Sequence, residues 1–400
     1  MARYHRVLVE AVIFALEEIF EQNRQADKVI EQVLKSDRRW GARDRGFIAE
    51  NTYEIVRWWR LLQYVAQNSV ASTPTFFDIF GCWQIIKGNE LPSWPEFSDI
   101  KPQRVVESYQ DAQKIRAIRE SIPDWLDEVG FSELGEKWEA ELQALNQPAS
   151  VIIRVNTLKN SLPSLQKSFQ SLGISTSTIA NLPNALILKE KKNIFQTEEF
   201  KNGFFEVQDA GSQTIAPILD VKPGMRVIDA CAGAGGKTLH LAALMENKGQ
   251  LIAMDVEDWK LTELRRRARR NGVANVETRL IEAKTIKRLR NSADRLLLDV
   301  PCTGLGVLRR NPDTKWKLRP EFLDQIRHTQ YQILTSYAQM VKSGGKMVYA
   351  TCSILPSESE IQIQNFLQEN NQNWQLIAQR RTSPSTDGFD GFYMASLQKL

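Results

Sequence analysis

The sequence predicts an α/β protein: a doubly wound parallel sheet over residues 216–400, preceded by a small α+β unit over 146–215 and an all-helical segment over 1–145. Three observations carry this reading. From about residue 216, short apolar runs (MRVIDA, QLIAMD, NVETRLI, DRLLLD, KMVYA) alternate with helical stretches, and strands alternating with helices imply a parallel sheet covered on both faces. Near residue 150, VIIRVNTLK and NALILKE read as strands around the helix SLPSLQKSFQSLG, which Gly173 closes. Before that, apolar residues recur at helical spacing, divided by Pro/Gly clusters near 73–75, 88–95 and 101–102.

Bulk properties narrow the class. A chain of 400 residues suits two or three domains, at roughly 100–200 residues each. The N-terminus, MARYHRVLVEAVIFALEE, starts like a signal peptide, but Glu10, Glu17 and Glu18 interrupt it, and Leu8, Val12, Leu16 and Ile19 fall on one helical face. No apolar stretch approaches the ~18 residues of a membrane span, so a cytoplasmic protein with reduced thiols is expected. The four cysteines form no C-x-x-C pair, and His5, His240 and His328 are scattered; no metal is expected. Net charge is only +4, yet eleven Lys/Arg stand against three acidic residues between Trp259 and Arg290. Such a run suits a phosphate backbone or a solvated helix face. Trp40, Trp58 and Trp59 sit among Arg38, Arg39, Arg43, Arg45, Arg57 and Arg60, a mixture that serves RNA stacking or a helical core equally well.

In a doubly wound sheet, ligands bind beyond the C-terminal ends of the strands. DACAGAGGKT, 229–238, stands at such an end. As a phosphate loop it lacks one required glycine, since Cys231 occupies that place, and as a dinucleotide fingerprint it puts Thr238, after Lys237, where a packing glycine belongs. As a nucleoside loop without pyrophosphate it fits: the backbone from Cys231 through Ala232, Gly233, Ala234, Gly235 and Gly236 to Lys237 can approach a ligand, and Asp255 ends the next strand, where it can accept from ribose hydroxyls. That layout suits S-adenosylmethionine. A degenerate nucleotide triphosphatase is the rival reading.

Two cysteines decide between them. Cys302 follows Asp299-Val-Pro, and Cys352 follows Ala-Thr, each past a different strand of the same sheet edge. Methylation of cytosine carbon 5 explains both. A thiolate adding to carbon 6 turns the ring into an enamine, which can take the methyl group before a base removes the carbon-5 proton and the thiolate leaves. Asp299 is placed to stabilise the adduct near ring N3. Cys82, in IFGCWQII, and Cys231 read as packing residues.

Asp-Val-Pro-Cys-Thr-Gly, Ala-Thr-Cys-Ser and the Cys-Ala-x-x-Gly-Gly-Lys-Thr loop together resemble the RsmB/Sun/Nop family of RNA cytosine-5 methyltransferases. RVNTLK (154–159), FFEVQDAGSQ (204–213), GLGVLRRNPDTKW (304–316) and DGFYMASLQK (390–399) extend the resemblance over roughly 150–400. The helical segment, RDRGFIAENTYEIVRWWRLL in particular, is similar to the NusB-like RNA-binding domain of bacterial members. The resemblance implies a Rossmann-like catalytic domain and roles residue by residue: Cys352 as nucleophile, Cys302 as the thiol needed for product release, Asp299 at the target base, and Lys237 near it. It also implies cofactor contacts from the 231–237 backbone, Asp255 and Asp299. Two departures stand out. Gly233-Ala234 replaces the family's Ala-Pro, and Glu282 stands where an aspartate near the adenine is usual. The implied partner is RNA, ribosomal (16S) from the bacterial likeness. The rivals are DNA cytosine methylation, against which stands the lack of a Glu-Asn-Val tripeptide after residue 302, and a non-catalytic RNA-binding or ribosome-assembly factor.

Overall fold

The computed structural model describes residues 4–190 and 192–400. It divides into two compact units. One holds the described residues up to Gln147 together with Leu308–Pro320. It is helical, beginning with Arg6–Phe20, Ala26–Ser36, Ala42–Arg57, Trp59–Ser69 and Phe76–Ile86. Their apolar faces close on one core, which includes Val12, Leu16, Ile48, Ile55, Leu62 and Phe80. Leu8, Val12, Leu16 and Ile19, expected on one helical face, are all buried. Trp40, Trp58 and Trp59 pack against this core, with Trp59 stacked 3.7 Å from Phe20. Several of the interleaved arginines turn to protein acceptors: Arg45 to the Trp40 carbonyl at 3.0 Å and Arg60 to Asp124 at 2.7 Å. These three tryptophans are half-buried against the helical core.

Leu308–Pro320 belongs to the helical unit, although its position in sequence groups it with 216–400. Hydrogen bonds explain why. Asp313 Oδ2 accepts from the Ala26 N–H at 3.0 Å, Trp316 Nε1 donates to the Val56 carbonyl at 2.7 Å, and Lys317 Nζ donates to the Arg24 carbonyl at 2.7 Å. Burial and the neighbouring Arg57 push the Lys315 ammonium well below its ordinary pKa.

The second unit carries two sheets. Strands β1 (Ile152–Val155), β2 (Thr176–Ile179), β3 (Leu182–Leu188) and β4 (Phe205–Val207) form an antiparallel sheet in the order β2-β3-β1-β4. The helix Leu162–Ser171 covers it, burying Leu165 and Phe169, and Gly173 follows with φ +66° as the expected helix stop. The larger sheet holds β5 (Arg226–Asp229), β6 (Gln250–Asp255), β7 (Val276–Leu280), β8 (Ala293–Asp299), β9 (Val341–Thr351), β10 (Trp374–Thr382) and β11 (Phe392–Lys399), in the order β10-β11-β9-β8-β5-β6-β7. β5 to β9 are the five predicted apolar runs, and they pair in parallel. β10 and β11 add an antiparallel edge, so the sheet is mixed rather than wholly parallel. The order reverses at β5, where β6 lies on one side and β8 on the other; that switch point opens a crevice at the strand ends. Among the described residues, no helix is long and apolar enough to cross a membrane.

Candidate active site

The loop after β5 is shaped by its glycines. Gly235 sits at φ +91°, and a Cβ there would meet Leu264 Cγ at 2.7 Å, so only glycine lets the loop pass under the helix Asp258–Asn271. Gly233 and Gly236 face open space instead, with nothing within 4 Å of an added Cβ. The helix Gly236–Leu244 points its N-terminus into that space, a favourable site for negative charge and backbone hydrogen bonding. Asp255, at the end of β6, ties the loop down: its Oδ2 accepts from the Gly233 N–H at 2.9 Å and its Oδ1 from the Glu257 N–H at 3.0 Å.

Two side chains that the sequence reading passed over hold this loop. Arg154, buried in β1, donates to the Gly236 carbonyl at 3.1 Å. Arg267 donates to the Ala234 carbonyl at 2.8 Å and to Glu206 Oε2 at 2.8 Å. Two of the basic residues between 259 and 290, Arg267 and Arg270, therefore turn inward onto Glu206. The available signal was an arginine in a short apolar strand, within the RVNTLK motif. Glu282 is exposed just after β7; its N–H donates to Thr285 Oγ1 at 3.0 Å.

Asp229, the last residue of β5, is fully buried. Its Oδ2 accepts from Thr238 Oγ1 at 2.7 Å and the Cys231 backbone N–H favours its charge, while its Oδ1 makes no well-formed hydrogen bond. Burial pushes the carboxyl up to about 7, against the Thr238 hydrogen bond and with help from Asp299. An orphaned carboxylate oxygen beside an open glycine loop fits a ligand that carries a positively charged amino-acid group and a nucleoside but no phosphate.

The four predicted catalytic side chains converge beside this loop. Cys302 and Cys352 follow the ends of β8 and β9, neighbouring parallel strands, and their Sγ atoms stand 3.1 Å apart. The backbone keeps the two loops abreast: the Val300 N–H donates to the Ala350 carbonyl at 3.0 Å and the Gly306 N–H to the Cys352 carbonyl at 2.9 Å. Lys237 Nζ meets Asp299 Oδ2 at 2.5 Å and lies 5.4 Å from the Phe392 ring centre. Burial opposes the Lys237 charge, but attraction to Asp299, and to charge on Cys352 and Asp229, raises its pKa above the ordinary value. The Cys302 thiol is pushed well above its usual range by its contact with Cys352, by burial and by the Cys352 and Glu358 charges. Cys231 is driven up by burial and by Asp229, Asp299 and Asp255, and Cys82 is pushed up to about 12 by burial; both stay protonated packing groups.

The sheet order, the open loop and the strand-end carboxylate define an S-adenosyl-L-methionine-dependent methyltransferase. Residues 216–398 match the model of the 16S rRNA methyltransferase RsmB/F family, and residues 122–195 match the ferredoxin-like domain of RsmF/B-like methyltransferases. The probable ribosomal RNA small subunit methyltransferase B of Synechocystis sp. (strain ATCC 27184 / PCC 6803 / Kazusa) is 37% identical over 300 residues, covering 70% of this chain and 67% of that one. Ribosomal RNA small subunit methyltransferase B of Vibrio cholerae is 32% identical over 287 residues, covering 69% of this chain and 65% of its own length. The crystal structure of PH0851 superposes with a TM-score of 0.82 at 25% identity, covering 98% of both chains. The chain belongs to the RsmB/F methyltransferase family.

Proposed function

We propose that this protein methylates carbon 5 of a cytosine in ribosomal RNA through a covalent cysteine adduct. The observation that carries the reading is the 3.1 Å separation of the Cys302 and Cys352 thiols beside the Lys237–Asp299 pair. Of two thiols in contact, one can lose its proton to solvent while the other donates a hydrogen bond to the thiolate that remains. The Cys302 thiol, raised by its Cys352 contact, burial and the nearby carboxylate, keeps its proton and leaves Cys352 as the nucleophile. A Cys352 thiolate forms a bond to carbon 6, and the ring electrons make carbon 5 nucleophilic. Bound S-adenosylmethionine supplies the electrophilic methyl group. The carbon-5 proton then passes to a base, the carbon 6–sulfur bond breaks, and Cys302 assists that release. Asp299 steadies the base near N3, with Lys237 holding the carboxylate. The loop backbone from Cys231 to Lys237, together with Asp255, Glu282 and Asp299, would hold the cofactor.

The names of the curated relatives, ribosomal RNA small subunit methyltransferases, support the choice of substrate. RNA contacts would run mainly through phosphates, with the N-terminal helical residues 1–145 aiding docking, so affinity should fall steeply with salt. The target base would be turned out of its stack into the pocket. The reading carries a cytoplasmic location with it.

The test is a denaturing gel of Cys302→Ser incubated with total RNA and S-adenosylmethionine. A slow protein–RNA band that disappears in the Cys302/Cys352 double variant is expected, and sequencing the trapped RNA would name the site. If wild type methylates that RNA and the single variant gives no band, the division of labour fails. A band only on changing Cys352 reverses the roles.

A further inference from the structure

We propose that Glu358 is a positioning residue for the two-thiol chemistry: its buried carboxylate bridges the residues that follow Cys302 and Cys352 and so sets the spacing of the thiols. The inference rests on the two-thiol reading above. Glu358 ends the short turn Pro356–Glu358 and is completely buried. Its Oε1 accepts from Thr303 Oγ1 and from Ser353 Oγ, both at 2.5 Å. Its Oε2 accepts from the Thr303 N–H and from Gln330 Nε2, both at 2.9 Å. Thr303 is the residue after Cys302, and Ser353 the residue after Cys352. One carboxylate therefore joins two loops that are 50 residues apart in the chain.

The second tier of contacts points the same way. Gln330 Nε2 also donates to the Pro301 carbonyl at 2.9 Å, and Tyr349 Oη donates to the Glu358 carbonyl at 2.8 Å. The carboxylate is thus fixed from the helix Pro320–Ala338 and from both loops, and the Glu358 backbone from β9. All four of its donors are neutral. A buried carboxylate is costly unless its lone pairs are satisfied, and four converging donors satisfy them. A fold that needed only packing here would use an apolar residue; this one retains a charge beside Cys302. That charge adds to the forces raising the Cys302 thiol, so Glu358 both holds the thiols in register and biases which of them carries the proton.

Glu358→Gln separates the two effects from packing. The amide keeps the shape, and its NH2 can turn toward the Thr303 and Ser353 hydroxyls, which can accept. The experiment labels the unliganded full chain with iodoacetamide, locates the label by peptide mass spectrometry, and measures single-turnover methylation of the RNA trapped by Cys302→Ser. In wild type, label is expected on Cys352 well ahead of Cys302. In Glu358→Gln the two rates should draw together by roughly tenfold, one pKa unit being a factor of ten in thiolate. The methylation rate should fall by a similar factor, because the bridge is kept and the charge that biases the proton is lost, with KM for RNA and cofactor affinity within about threefold. Ser353→Ala, which removes one donor only, should move both readouts in the same direction, and it serves if Glu358→Gln does not fold. The inference is overturned if a folded variant keeps wild-type label distribution and rate. If the label shifts but Cys302→Ser traps no RNA, the positioning role stands and the covalent reading falls.

Discussion

Lys237 Nζ and Asp299 Oδ2 meet at 2.5 Å, joining the first turn of one helix to the end of β8 across 62 residues of chain. Both side chains are largely shielded, at 12% and 27% exposure. Removing one partner of a shielded pair strands the other charge, whereas removing both does not. Lys237→Met and Asp299→Asn should each lower stability and abolish most activity, while the double variant should recover about 1–3 kcal/mol of the summed stability loss. Urea unfolding of the four proteins measures this. Strictly additive losses would mean that the two groups do not depend on each other in solution.

Asp255 and Glu282, the two carboxylates proposed to hold the cofactor with Asp299, are unequally placed for it. Asp255 is buried and already shaped by two backbone donors, while Glu282 is exposed. A hydrogen bond to a charged acceptor contributes roughly 1.5–3 kcal/mol, so Asp255→Asn should weaken S-adenosylmethionine binding by about 10- to 100-fold. Glu282→Gln should change it by less than about threefold, as for an exposed group. Calorimetric titration of each variant decides; equal losses would show that Glu282 closes onto the ligand.

Most of what could be read in advance came from strand ends. A cysteine past β8 and another past β9 must meet once those strands are parallel neighbours, because the topology rule places both at one edge. The same rule brought Lys237, Asp255 and Asp299 into the crevice. Residues whose role is set by distant partners left little trace. Glu358 stands in the polar run PSESE, which reads as a solvated turn until Thr303 and Gln330 are seen around it. Arg154 hides in a strand that reads as uniformly buried. β10 exposes most of its side chains at the sheet edge, so WQLIAQRRT carries no clean alternation. Leu308–Pro320 joins the helical unit through Asp313, Trp316 and Lys317 bonding backbone groups, a signature that no local pattern encodes.

Gly306 shows how closely the catalytic loops are packed. A Cβ on it would meet the Gly391 carbonyl oxygen at 2.1 Å and the Cys352 carbonyl oxygen at 2.8 Å, both rigid backbone. Its own N–H and carbonyl are engaged with Cys352 and Gly391 at 2.9 and 2.8 Å. Gly306→Ala should therefore cost about 1–3 kcal/mol as overpacking and reduce methylation well beyond what the stability loss explains. Urea midpoints with single-turnover rates test this. A stable Gly306→Ala enzyme at wild-type rate would show that the loops have room to separate.

Asp229 should give the folded protein without ligand an unusual pH dependence. Its carboxyl is pushed from an ordinary 3.8 up to about 7 by burial. Below the unfolded value both states are protonated and the group has no effect. Between about 4 and 7 the unfolded chain has released the proton and the folded chain has not, so the folded state binds more protons and loses stability as pH rises. Above the folded value the full penalty applies, about 4 kcal/mol at 1.36 kcal/mol per pH unit. Asp229→Asn keeps an acceptor for Thr238 and removes the titration. Its urea midpoint should stay flat from pH 5 to 8 where that of wild type falls, making the variant the more stable protein at pH 8. S-adenosylmethionine should reverse the order, because its positive amino group would favour an ionised Asp229 and the amide offers none. Parallel stability profiles for the two proteins would mean that Asp229 is solvated or already paired in solution.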